Sequence, residues 1–156
     1  MFRPMRRFKQ QLSKERCSEI LGTEKRGVLP VIGDGGYPYA VPMNFVYDNG
    51  NLYFHSAVTG HKVDAVKNDN KASFCVMTGG ELSDDGWSYF VESVIVFGRV
   101  TVVEDEAIRT EKLRKLGNKY FPDEQKTEEE LAKNAGRALV LELAAEHLSG
   151  KRVHED

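Results

Sequence analysis

The sequence predicts a small, mostly antiparallel β-barrel with peripheral helices. Segments rich in Val, Ile, Phe and Tyr recur along the 156 residues, giving about six strands. Tight-turn signals, Gly33-Asp34-Gly35-Gly36 and Asn49-Gly50, separate several of them. The few segments of helical period sit at the periphery of that strand pattern.

Taken in order, Ser13 is placed to cap a helix running to about Leu21, with Cys17, Ile20 and Leu21 on one face and Gly22 as its stop. Arg26 to Ile32 reads as a strand ending in the glycine-rich turn. That turn lacks the Gly-Lys-Ser/Thr ending of a phosphate loop, so a hairpin is its expected use. Tyr39 to Tyr47 reads as one strand, with Val41, Met43, Phe45 and Tyr47 on a common face. Asn49-Gly50 suits a type I′ turn because both positions tolerate positive φ, so Leu52 to His55 returns antiparallel.

Lys62 to Lys67 has the pattern of a short helix and Lys71 to Thr78 that of a strand. Trp87 to Val103 is a long strand. Both of its alternating positions are apolar from Val94 to Phe97, which suggests two crossing faces or a bent strand shared by two sheets. Ile108, Leu113, Leu116 and Tyr120 follow helical spacing within Glu104 to Phe121, and Pro122 stops that helix. Thr127 with Glu130 has capping-box spacing for a further short helix, and Ala138 to Leu143 returns to strand. No repeat or linker interrupts the chain, so residues 1–156 are expected to form a single domain.

Composition narrows the function classes. The 22 basic and 24 acidic residues nearly cancel, which argues against a general nucleic-acid binder. Arg3, Arg6, Arg7 and Lys9 read as a solvated arm. Cys17 and Cys75 form neither a CxxC pair nor a disulfide framework, and no apolar run suits a signal or a membrane span. The expected location is therefore cytoplasmic. The four histidines, His55, His61, His147 and His154, make no zinc-type cluster, although His55 and His61 could converge across a turn; no metal is expected. No GxSxG elbow is present either.

The segment His55-Ser56-Ala57-Val58-Thr59-Gly60-His61-Lys62 carries the clearest chemistry. Ser56, the amides around Ala57 and Gly60, and the Lys62 ammonium are donors suited to a phosphate. A helix opening at Gly60 would add unpaired amides and a favourable dipole. Beside it, Pro42, Met43, Asn44 and Phe45 offer a flat apolar wall with polar groups for a ring edge. A phosphate joined to a flat ring describes flavin mononucleotide (FMN).

The block Gly35-Gly36-Tyr37-Pro38-Tyr39-Ala40-Val41-Pro42-Met43-Asn44-Phe45, then Leu52 to Ala57 and Gly60-His61-Lys62, resembles the pyridoxamine 5′-phosphate oxidase-related superfamily. Within it the chain is most similar to the nitroimidazole-resistance (Nim-like) branch. Met5-Arg6-Arg7, Ser93 to Gly98 and Glu146 to Lys151 also match. The resemblance implies an FMN-binding split β-barrel, a homodimer with cofactor clefts at the subunit interface. It implies Pro42 to Phe45 beside the ring, His55 to Lys62 around the phosphate, and the region of Tyr89 to Ser93 supplied by the partner. His55 then stands near the flavin as a candidate catalytic residue, and vitamin B6 oxidation is not expected.

The implied activity is an FMN-dependent oxidoreductase that takes electrons from a small-molecule donor and passes them to a flat acceptor such as a nitroaromatic or a quinone. Alternatives are a noncatalytic flavin-storage protein, a split barrel holding heme or deazaflavin, and a partner-binding module. Each residue also has a plainer reading: His55 as a hydrogen-bonded strand-end histidine, Lys62 as a solvated helix residue, Tyr89 as packing. Trp87 either caps the cofactor or is structural.

Overall fold

The computed structural model describes residues 1–121 and 123–155, so the predicted stop at Pro122 lies outside the described residues. Eight strands form one antiparallel sheet: β1 Arg26–Ile32, β2 Pro38–Asn44, β3 Val46–Asp48, β4 Asn51–Ser56, β5 Lys71–Met77, β6 Glu81–Leu82, β7 Tyr89–Val102 and β8 Leu139–Glu155. Among the described residues four α-helices accompany them: α1 Lys14–Thr23, α2 His61–Asn68, α3 Glu106–Tyr120 and α4 Glu124–Asn134. The strand order is β2-β1-β5-β7-β8-β4-β3, with β6 paired to β7.

That order explains the curl. The strands at its two ends, β2 and β3, are consecutive in the chain and joined only by Phe45. A sheet whose ends are tied by one residue must bend until they meet. The expected single strand Tyr39–Tyr47 is therefore two strands, because the chain changes pairing partner at Phe45, from β1 to β4. Phe45 is fully buried and meets Phe74 at 4.8 Å between ring centroids, while Phe54 meets Phe74 at 5.0 Å.

Local chemistry accounts for most boundaries. Ser13 Oγ accepts the Arg16 N–H, as expected of an N-cap, but α1 continues through Gly22 to Thr23. Asn49 and Gly50 adopt φ 49° and 85°, the two positive values a type I′ turn demands. Asp105 caps α3, and Asp123 rather than Thr127 caps α4; its carboxylate takes the Gln125 and Lys126 amides. Thr127 instead lies one turn into α4 and packs against Gly117 of α3, where a Cβ would stand 2.5 Å from Thr127 Cγ2.

The long strand β7 lies within one sheet rather than being shared by two. Val94 and Val96 point to the core, while Ile95 and Phe97 face outward and stay more than one-third exposed. β8 runs far beyond Leu143 because it pairs with β7 along nearly all of that strand's length, apart from an irregularity at Phe97/Gly98. Two lysines of α3 fix it to the barrel, with Lys112 and Lys115 Nζ at 2.6 and 2.7 Å from Asp48 Oδ2 at the end of β3. Among the described residues, no helix is long and apolar enough to cross a membrane.

Candidate cofactor cleft

Two contacts and one shared cavity lining, taken along β2, trace the candidate site. At one end the Tyr39 ring stacks on His61, 4.3 Å between centroids and 14° from parallel. In the middle, Lys62 Nζ lies 3.4 Å from Met43 Sδ. At the other end Asn44 shares the lining of a chamber with His55.

Lys62 is the electrostatic centre of this arrangement. It is half-buried, and among the described residues no carboxylate lies within 4.0 Å of its ammonium. Burial pulls its pKa below the ordinary lysine value. A cation held against a thioether is short of the partner that would offset its desolvation. Beside it, α2 opens at Gly60, whose φ of 131° suits glycine and whose carbonyl accepts the Val63 and Asp64 amides. No side chain caps this end, so the amides of His61 and Lys62 have no intrahelical partner. Ser56, 5% exposed, closes β4 nearby in sequence, and Ala57 is exposed. These donors suit the phosphate of a flavin on the chemistry of the residues present.

The two histidines of this segment part company. His61 turns to the β1–β2 turn, where Nε2 accepts the Asp34 N–H at 3.2 Å with the Asp34 carboxylate 3.6 Å away. His55 projects from the other end of the site into the chamber, so the two do not converge on one centre. Pro42 is exposed beside Asn44. Phe45 sits behind the wall rather than on it: its ring is buried with Lys119 Nζ 3.9 Å above it, and its N–H donates to Tyr120 Oη at 2.9 Å. Tyr89 is nearly half exposed and Ser93 half-buried on β7, which two strands, β1 and β5, separate from β2 in the sheet order.

The chamber holds about 820 Å³, within the usual range for small-molecule pockets. It lies between His55 and Asn44 on one side and α3 and α4 on the other. Sequence reasoning missed it, since the residues closing it come from helices read only as peripheral cover. The signal available was Gly117, a glycine inside a helical pattern, which permits the close approach of Thr127.

Residues 13–152 match the pyridoxamine 5′-phosphate oxidase family. The chain belongs to that family. No curated protein matches the chain. Among solved structures, a candidate 5-nitroimidazole antibiotic resistance protein from Bacteroides thetaiotaomicron superimposes with a TM-score of 0.80 at 24% identity, covering 93% of this chain and 87% of that one. The flavocytochrome Anf3 from Azotobacter vinelandii gives 0.77 at 22% identity over 95% and 71% of the two chains. An FAD-binding protein from Mesorhizobium loti gives 0.66 at 23% identity over 92% and 96%. At these identities the likeness establishes the oxidase-family split-barrel fold alone.

Proposed function

We propose that this member of the pyridoxamine 5′-phosphate oxidase family binds FMN and works as an oxidoreductase for small, flat acceptors such as nitroaromatics or quinones. The half-buried Lys62 ammonium carries the reading: among the described residues it has no carboxylate within 4.0 Å, and it stands beside the uncapped start of α2. A phosphate monoester would supply the missing counter-charge. Structural neighbours that are a flavocytochrome, an FAD-binding protein and an FAD- and heme-binding protein support a redox cofactor in this fold.

FMN, when bound, supplies the electron and hydride chemistry. The chain's own part is narrower. Lys62, the first amides of α2 and Ser56 hold the phosphate, while Asn44 and the exposed Pro42 face the ring. His55, open to the chamber, holds or delivers a proton to the acceptor. The sequence has no dinucleotide-binding glycine fingerprint, so a reduced nicotinamide would visit the ring transiently.

A second copy of the chain completes the cleft in this reading. A row of outward residues, Pro42, Val28, Cys75 and Ile95, crosses β2, β1, β5 and β7, and Met77 and Phe97 widen it. Val28, Ile95, Phe97 and Met77 are 36%, 38%, 39% and 65% exposed. A contiguous apolar face of this kind favours burial against a partner. Tyr89 and Ser93 on β7 then reach the neighbouring subunit's site rather than their own.

The test is a visible absorption spectrum of the purified or FMN-reconstituted protein, followed by anaerobic addition of a reduced nicotinamide. Flavin bands that bleach, then return on adding a nitroaromatic, support the reading. A protein that takes up no flavin, or holds flavin that never turns over, contradicts it.

A further inference from the structure

We infer that the chamber roofed by α4 is an acceptor-binding pocket that selects neutral molecules with a flat apolar body; this deepens the oxidoreductase reading and rests on it. Three observations converge. First, Asn44 and His55, the residues proposed to face the ring and the acceptor, also line the chamber. Second, its walls are mainly aliphatic, with Leu113 and Leu116 from α3, Leu131 and Ala135 from α4 and the adjoining turn, and Ala138 before β8. Such walls favour a flat apolar body.

Third, the polar groups around the space discriminate. Thr127 lines the chamber at 3% exposure, and its Oγ1 has no hydrogen-bond partner among the described residues. That hydroxyl is shut away against Gly117 of α3 and offers no hydrogen bond to a molecule in the chamber, so the discrimination falls to the rim. At the exposed rim, Glu129 and Glu130 face the same space with a single ammonium, Lys126, beside them. Their hydrogen bonds go to the neutral amides of Gln125 and Asn134 rather than to a cation. An anionic acceptor meets net negative charge at this rim, and a neutral one does not.

Occupancy of the chamber is read by calorimetric titration of the oxidised holoprotein with para-nitrobenzyl alcohol and, separately, para-nitrobenzoate, near-isosteres differing in charge. The alcohol is expected to bind at least about 5-fold more tightly than the benzoate. Glu129→Gln with Glu130→Gln should narrow that gap. Leu131→Trp and Ala135→Phe, which fill the space, should each weaken the alcohol about 10-fold or more while FMN uptake stays as in the unaltered protein. Equal binding of the two compounds, or filled variants that bind the alcohol normally, overturns the inference. If a filling variant loses its helical circular dichroism, the charge comparison in the unaltered chain decides. The chamber lies within one chain, so the same titration of flavin-free protein separates this inference from the cofactor reading: FMN uptake fails in one case, alcohol binding in the other.

Discussion

Lys62 Nζ rests 3.4 Å from the sulfur of Met43, and that contact sets an ammonium from α2 against the inner face of β2. Burial lowers the lysine's pKa, and the sulfur, a weak acceptor without charge, does not offset that cost. An FMN phosphate bound there would favour the charged form. FMN affinity should therefore weaken as pH rises through the lowered Lys62 pKa, below the ordinary lysine range. Dissociation constants measured across alkaline pH check this, and Lys62→Arg should flatten the profile. A profile unchanged by that substitution would remove Lys62 from the phosphate site.

Lys119 makes a related prediction about stability. Its ammonium lies over the Phe45 ring at the seam of the barrel, and burial pulls its pKa from 10.5 to about 8. Between those two values the unfolded chain holds a proton the folded chain has released. Unfolding free energy contributed by this group thus rises with pH through that window, and the folded state bears the burial cost below it. Tyrosines titrate in the same range, so the measurement is the difference between parent and Lys119→Met in chemical denaturation at pH 7 to 10.5. Met should be relatively favourable at neutral pH, with the advantage shrinking as pH rises. A constant difference contradicts the assignment.

Gly98 has no room for a side chain. A Cβ there would stand 2.1 Å from the Ala144 carbonyl oxygen, at the irregularity where β7 and β8 shift register. The backbone would have to move along the longest strand pair of the sheet. Gly98→Ala should cost about 3 kcal/mol and lower Tm by roughly 10 °C. Thermal unfolding by circular dichroism reads it directly, and an unchanged Tm would mean the pairing is looser than described.

One carboxylate reinforces the turn before β7, which backbone bonds from Ser83 N–H to Ser88 O and from Gly86 N–H to Ser83 O also close. Asp85 accepts the Trp87 and Ser88 amides at 2.8 and 3.0 Å and the Ser88 hydroxyl at 2.7 Å, which together pull its pKa down to about 2. Ser88 Oγ also lies 2.6 Å from His154 Nε2, tying the turn to the end of β8. Ser88→Ala should cost about 1–2 kcal/mol. It should also lower the fluorescence anisotropy of Trp87, the chain's single tryptophan. Unchanged anisotropy would show that other contacts set the turn.

Much of the fold was legible because its signals are local. The Ser13 cap, the Asn49-Gly50 turn and the β1 strand depend on neighbours in sequence, and each appears where the residues indicate. What escaped was tertiary in origin. Phe45 reads as one more alternating strand residue, and only barrel closure makes it the point where pairing changes. Thr127 has the right spacing for a cap, but Asp123 lies one turn earlier and forms the bonds. Of the site, Lys62 and Met43 were legible as a cluster, whereas their contact was not. The chamber was invisible because its lining comes from helices distant in sequence from His55, which helical period cannot orient.

The central claim is that Lys62 and the opening of α2 hold a flavin phosphate. Equilibrium binding of FMN and of riboflavin, each to the parent protein and to Lys62→Ala, tests it most directly. The two ligands differ only in the phosphate, so the cycle isolates its interaction with Lys62. FMN should bind the parent at least about 10-fold more tightly than riboflavin, and Lys62→Ala should lose most of that preference while leaving riboflavin affinity nearly unchanged. Riboflavin binding the parent as tightly as FMN, or a preference that survives the substitution intact, would contradict the account.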